Sequence, residues 1–167
     1  AGADLKLISV ARAGLENIDI AAATARGIGV VPAMGRNAGA VAELQIGMIL
    51  AETRNIARAD ASIKSGGWRK EFPGARVEIA HSNVGMVGFG HVGKIFSQRI
   101  SGLGPKLLAY DPYASPASLA ESGVTPVLTL NELFAQSDFI LVQARLSPET
   151  TRFIGRTQFA AMKPSAY

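Results

Sequence analysis

Apolar positions along the chain follow two different periods. Short, nearly continuous apolar runs occur at Leu5–Val10, Ile28–Val31, Val84–Val87, Leu107–Tyr110 and Phe139–Val142. Runs of this length without regular polar alternation predict strands covered on both faces. Between them, apolar residues recur three and four apart. Asp19 would cap a short helix from Ala21 to Arg26, with Gly27 ending it. The longest helical pattern runs from Asn37 to about Ser65 and stops at Gly66-Gly67. Its first half, Val41 to Ala51, is apolar nearly all round, so it is expected to lie between two packed bodies as a domain connector. Its second half is amphipathic. Further helices are predicted at Val92–Leu103, Ser118–Glu121, Leu130–Gln136 and Gln158–Met162. A strand is predicted at Val124–Leu128, and another would start at Ser165. Strands alternating with helices predict the α/β class with a parallel sheet.

The order strand, glycine turn, helix, strand, acid falls between Val84 and Asp111 and gives the chain its centre. Gly88, Gly90 and Gly93 form G-x-G-x-x-G immediately after an apolar run, and Asp111 ends the next strand eighteen residues beyond Gly93. In a dinucleotide site Gly88 permits the tight turn, Gly90 lets the backbone approach a pyrophosphate, and Gly93 lets helix and strand pack closely. The helix N-terminus directs free N–H groups and partial positive charge at the phosphates. Asp111 is placed to accept ribose hydroxyls. Glycine makes up 18 of 167 residues, so three glycines at fixed positions arise by chance about 0.2 times in such a chain. The glycines alone are weak; the strand, helix and acid around them carry the reading. The competing reading is a glycine-rich strand–helix turn with no ligand.

Composition narrows the class without changing it. With 48% hydrophobic and 18% charged residues, the chain suits a globular protein of one large domain or parts of two. Zero cysteines exclude disulfides and thiolate chemistry and fit a reducing compartment. No signal-peptide pattern and no apolar run long enough to span a membrane is seen, so the expectation is cytoplasmic, with no membrane partner. The net charge of +4 is scattered. Its densest set, Arg58, Lys64, Arg69, Lys70 and Arg76, reads as a solvated helix end and loop, so no nucleic-acid partner is expected. Nothing groups His, Asp and Glu at metal-ligand spacing.

Five stretches together resemble the D-isomer-specific 2-hydroxyacid dehydrogenases, the group of phosphoglycerate, glycerate and formate dehydrogenases. They are Arg12-Ala13-Gly14 with Asn17-Ile18-Asp19, NAGAVAEL from Asn37 to Leu44, VGFGHVG, YDPY from Tyr110 to Tyr113, and LSPETTRFIG with FAAMKP. The resemblance covers nearly the whole chain in order. It implies an incomplete Rossmann-type doubly wound parallel sheet with part of a smaller, flavodoxin-like substrate domain. Residues 1–38 would end the first substrate-domain segment, 39–83 would be connecting helix and loop, and 84–167 the NAD-binding domain. A homodimer through the Asn37–Ser65 region would follow. The cofactor implied is NAD, and the partner a small 2-hydroxy or 2-keto acid.

By the same resemblance, Gly88, Phe89, Gly90, His91 and Val92 would wrap the pyrophosphate, and Tyr110, Asp111 and Pro112 would hold the adenosine. Gln143, Ala144, Arg145 and Thr150 would line the cofactor at the next strand end. Ala13 and Gly14 would offer backbone N–H groups to a substrate carboxylate, with Asn37 beside them. The family's catalytic Arg, Glu and His would fall after Tyr167, so this stretch is expected to bind cofactor and not to turn over. Neither His81 nor His91 matches that histidine. Gln143 and Arg145 stand where many members carry His and Pro, and the turn after Gly14 is shorter than the usual Gly-rich form. The alternative function is a non-catalytic NAD-sensing or scaffold protein on the same fold. Trp68 reads as a core or interface anchor, the four methionines as packing residues, and Asn37 as the cap of the long helix.

Overall fold

Among the described residues two sheets form, both wholly parallel, as expected where strand and helix alternate. The computed structural model describes residues 4–68 and 77–167. Arg69, Lys70 and Arg76 of the basic set lie outside them. β1 (Leu7–Val10) and β2 (Gly29–Pro32) pair with Leu7 opposite Gly29, joined by α1 (Ile20–Ala25). The side chain of Asp19 accepts the Ala22 N–H at 2.8 Å, and Gly27 leaves the helix at φ +66°. The local signals for this cap and stop are obeyed.

α2 (Ala38–Thr53) and α3 (Ile56–Lys64) lead to the larger unit: β3 (Asn83–Val87), α4 (His91–Ile100), β4 (Lys106–Tyr110), α5 (Pro116–Glu121), β5 (Val124–Pro126), α6 (Leu130–Gln136), β6 (Phe139–Val142) and α7 (Arg156–Ala161). The strand order is β5-β4-β3-β6. The chain therefore winds outward one way from β3 and then the other, placing the switch point between β3 and β6.

The continuous apolar runs have a simple cause. Val84 and Met86 of β3, Leu107 and Ala109 of β4, and Phe139 of β6 face one core with Phe96 and Ile100 of α4 and Ala42 and Ile49 of α2. Val87 and Leu108 face a second core with Leu133 and Phe134 of α6. Both faces of the central strands are buried, so no polar alternation survives in the sequence. Where α6 crosses β3 the approach is close enough that a methyl on Gly85 would collide with the Ser137 hydroxyl.

Four expectations need correction. The helix predicted from Asn37 to Ser65 is two helices, broken at Asn55, which takes the left-handed conformation at φ 53°. The buried Thr53 hydroxyl bonds back to the carbonyls of Ile49 and Leu50, and Arg58 clips the break by donating to Asn55 Oδ1 at 2.8 Å and Glu52 Oε1 at 2.6 Å. A short polar side chain tolerates the left-handed region, and these bonds replace the interrupted ladder. Asn37 stands at the N-cap of α2 but makes no capping bond with its side chain. Only one face of α2 is covered: Leu44 and Met48 are 64% and 63% exposed. Trp68 is 80% exposed, and Met34 is exposed like Met48, so none of these three is a core residue.

At the other end of the chain, Tyr167 lies along β6. Its N–H donates to the Asp138 carbonyl and its carbonyl accepts from the Ile140 N–H, each at 2.9 Å, and its ring stacks on Phe139. The strand expected from Ser165 is met only at Tyr167, since Ser165 lies in a turn closed by the Ala166 N–H donating to the Lys163 carbonyl.

Candidate functional site

The loops leaving β3, β4 and β6 and those leaving β1 and β2 enclose one cleft of about 820 Å³. It lies at the C-terminal ends of the strands, where parallel α/β sheets bind ligands. Residues 88–92, 110–112, 143–145 and Thr150 form the walls on the larger sheet, while Ala13, Gly14 and Asn37 face them from the smaller one. Every residue expected to touch cofactor or substrate thus borders a single space. Residues that sequence reasoning missed also line it, among them Glu16, Met34, Gly35, Tyr113, Ser147 and Glu149. The signal for several of these lay in motifs already recognised, since Tyr113 ends YDPY and Ser147 and Glu149 belong to LSPET.

Each glycine of the turn has its own reason. Gly88 has φ +94°, and a methyl there would meet the Ala144 backbone at 3.0 Å, because β3 and β6 exit side by side. Gly93 is buried under Phe89 and Gln143. Gly90 differs from both, because a methyl there would have nothing within 4 Å. Its smallness leaves open space directly before α4. Gly90 is the N-cap of α4 and offers no side chain to the first-turn N–H groups, so they remain free to meet an anion.

Asp111 closes the turn from the next strand. Its Oδ2 accepts the Phe89 N–H at 2.6 Å, and its Oδ1 accepts those of Tyr113 at 2.8 Å and Ala114 at 3.2 Å. The carboxylate is therefore held at the tip of β4, beside the glycine turn, with its charge facing the cleft. A carboxylate has about four acceptor sites, so hydroxyl donors can still be received.

Beyond β6, the Thr150 hydroxyl donates to the Arg145 carbonyl and accepts the Ser147 N–H, each at 2.7 Å. This bond pair shapes the loop that carries Arg145 into the cleft. Glu149, at its exposed rim, is held below the usual carboxylate range by hydrogen bonding from Ser147 and its own backbone. Gln143 donates to Gln45 Oε1 at 2.9 Å, tying β6 to α2, while its buried Oε1 finds no partner. On the facing wall, a methyl on Gly35 would meet the His91 ring at 2.9 Å, so the two halves of the cleft touch at the first turn of α4.

The open approach at Gly90, the uncapped helix end and the acid at the second strand tip fit a dinucleotide better than any single one would. A smaller cavity of about 400 Å³, lined by Thr53, Ser82, Asp138 and Tyr167, lies at the opposite ends of β3 and β6 and shares none of these features. Among the described residues no group of three or more His, Cys, Asp or Glu could hold a metal ion, and no helix is long and apolar enough to cross a membrane.

Fold and cleft together define a Rossmann-type dinucleotide-binding unit. Residues 46–167 match the family model described as "D-isomer specific 2-hydroxyacid dehydrogenase, NAD binding domain". The chain belongs to that family and carries its NAD-binding domain, with NAD as the cofactor. It is 42% identical to a D-3-phosphoglycerate dehydrogenase of Mycobacterium bovis over 98% of its own length and 31% of that protein. It is 39% identical to a hydroxypyruvate reductase of Thermotoga maritima, over 98% of the chain and 52% of the relative. The chain thus spans between about a third and about half of these relatives. Among solved structures, D-lactate dehydrogenase from Aquifex aeolicus in complex with NAD and lactic acid superposes with a TM-score of 0.85 at 26% identity, covering 95% of this chain and 47% of that one.

Proposed function

We propose that the protein containing this chain interconverts a D-2-hydroxy acid and the corresponding 2-keto acid. The observation that carries the reading is the two-sided cleft, in which the glycine turn and Asp111 stand opposite Ala13, Gly14 and Asn37. NAD, when bound, supplies the hydride chemistry. The chain's own residues bind and orient. Gly88, Phe89, Gly90, His91 and Val92 present backbone to the pyrophosphate, and Tyr110, Asp111 and Pro112 receive the adenosine end. Gln143, Ala144, Arg145 and Thr150 border the cofactor at the end of β6. The backbone at Ala13 and Gly14, with Asn37 beside it, receives the substrate carboxylate. The division into residues 1–38, 39–83 and 84–167 belongs to the same reading, supported by the two separate sheets.

Asp111 sets the choice between cofactors. A 2′-phosphate held near its carboxylate meets like charge, costing about 1 kcal/mol at 4 Å in water and about 4 kcal/mol at an effective dielectric of 20. Fluorescence titration is expected to show NADH bound at least about tenfold more tightly than NADPH. Asp111→Ala should erase the preference. Because this change also removes the acceptor of three backbone N–H groups, thermal unfolding is followed in parallel. Equal affinity for the two cofactors in the unaltered protein would overturn the assignment. Turnover is tested on the full-length polypeptide with a panel of 2-keto acids and NADH. Cofactor binding without oxidation of NADH by any of them would favour a sensing or scaffold role.

The bare face of α2 supports a homodimer. Leu44 and Met48 are exposed one turn apart, Gly47 between them has open space above it, and Ile56 and Ile63 continue the apolar surface along α3. Exposed apolar patches of this kind mark association surfaces.

A further inference from the structure

Three elements of the cofactor wall meet at Gln143. Its N–H extends the sheet by donating to the Val87 carbonyl at 2.9 Å. Its carbonyl carbon lies 3.2 Å from where a methyl on Gly88 would stand. Its side chain runs over the first turn of α4, with Oε1 3.1 Å from the place of a methyl on Gly93. The same amide reaches α2, where Nε2 donates to Gln45 Oε1 at 2.9 Å. Gln45 is half-buried and does not itself line the cleft. Among the described residues it supplies the one hydrogen bond made by the Gln143 side chain, and no backbone hydrogen bond joins α2 to the end of β6.

We propose that Gln45 is a positioning residue for the cofactor. By holding the Gln143 amide over Gly93, it fixes the end of β6 beside the uncapped first turn of α4. This rests on the reading above that Gln143 borders the cofactor. A glutamine side chain without a partner regains its rotamer freedom, and the cofactor would have to order it again on binding. The buried Oε1, which has no partner of its own, shows what the pair restrains: an amide free to turn would carry that acceptor to water. Turning both amides exchanges donor and acceptor and leaves the clamp in place.

The test is fluorescence titration of the full-length protein with NADH, with thermal unfolding followed in parallel. Gln45→Leu, which keeps the bulk and removes the acceptor, is expected to weaken NADH about threefold to tenfold, the scale of one hydrogen bond. Gln45→Asn, one methylene too short to reach, should match it and repeats the test without an apolar substitution. Gln45→Glu still accepts from Nε2, and at high salt, where its charge is screened, it should stay within about twofold of the unaltered protein. Gln143→Leu should weaken NADH at least as much as Gln45→Leu, and combining the two should add nothing further. A merely structural role for Gln45 would lower the unfolding temperature without this dependence on Gln143. The proposal is overturned if Gln45→Leu and Gln45→Asn leave NADH affinity unchanged while Gln143→Leu weakens it. It is equally overturned if Gln45→Glu falls as far as Gln45→Leu, or if the losses at the two positions add. If Gln143→Leu itself leaves NADH affinity unchanged, Gln143 does not border the cofactor, and this proposal falls with that reading.

Discussion

Gly88 and Gly90 stand two positions apart in one motif, but physics asks different things of them. Gly88 is required by its own backbone, with φ +94° and the Ala144 backbone pressed against the place of a side chain. Gly88→Ala is expected to lower stability by about 1–3 kcal/mol, read by urea denaturation. Gly90 has no such constraint, since a methyl there meets nothing. Gly90→Ala should leave the unfolding midpoint unchanged yet weaken NADH at least about tenfold, because the methyl enters the space before the uncapped end of α4. An unaltered NADH affinity in Gly90→Ala would remove this glycine from the pyrophosphate site. At this scale the sequence was informative, because turn glycines and the acid after the next strand are defined by neighbours along the chain. Glu16 was not legible, since nothing local says that its side chain folds back over Gly14.

Among elements, the two helices between the sheets show where periodicity misleads. Helical periodicity resumes with Ile56 after the polar residues 52–55 and no Gly or Pro intervenes, so a single helix is predicted, but the chain breaks at Asn55. Its side chain and that of Thr53 form bonds that a straight helix would not need. Asn55→Val is expected to lower stability by about 1–2 kcal/mol, because a β-branched residue is strained in the left-handed region. Asn55→Gly should be close to neutral. If Val were tolerated as well as Gly in thermal unfolding, the break would have another cause. By contrast α6 and β6 appear at the predicted residues. Leu130–Gln136 begins with Thr129 accepting the Glu132 N–H, and Phe139–Val142 is an apolar strand that runs from buried Phe139 through half-buried Ile140 and Leu141 to exposed Val142. Here local propensity and packing agree.

For the whole molecule, the question is what covers the exposed apolar surface of α2 and α3. Charged substitution there, Leu44→Asp with Met48→Asp, is expected to convert a dimer of the full-length polypeptide to monomer in sedimentation velocity. Secondary structure should be retained, since both side chains are more than 60% exposed and outside the two cores. An unchanged sedimentation coefficient would place the subunit contact elsewhere. The same surface explains why α2 is apolar nearly all round without being buried all round. One side packs on α4, held by Arg99 donating to the Gly39 carbonyl and Glu43, and the other is left bare.

The strand–turn–helix–strand unit, its acid, the parallel α/β class and the family are all legible in the order of residues along the chain. These depend on spacing within about thirty residues, where backbone preference and burial leave a direct imprint on residue type. The break at Asn55, the single covered face of α2, and the cleft as one space emerge from packing between distant elements. Bringing Gly14 and Glu16 opposite Asp111, or Gln45 against Gln143 across 98 positions, depends on how helices cross sheets. Such contacts are made by side chains whose types would suit solvent equally well, so periodicity carries no trace of them.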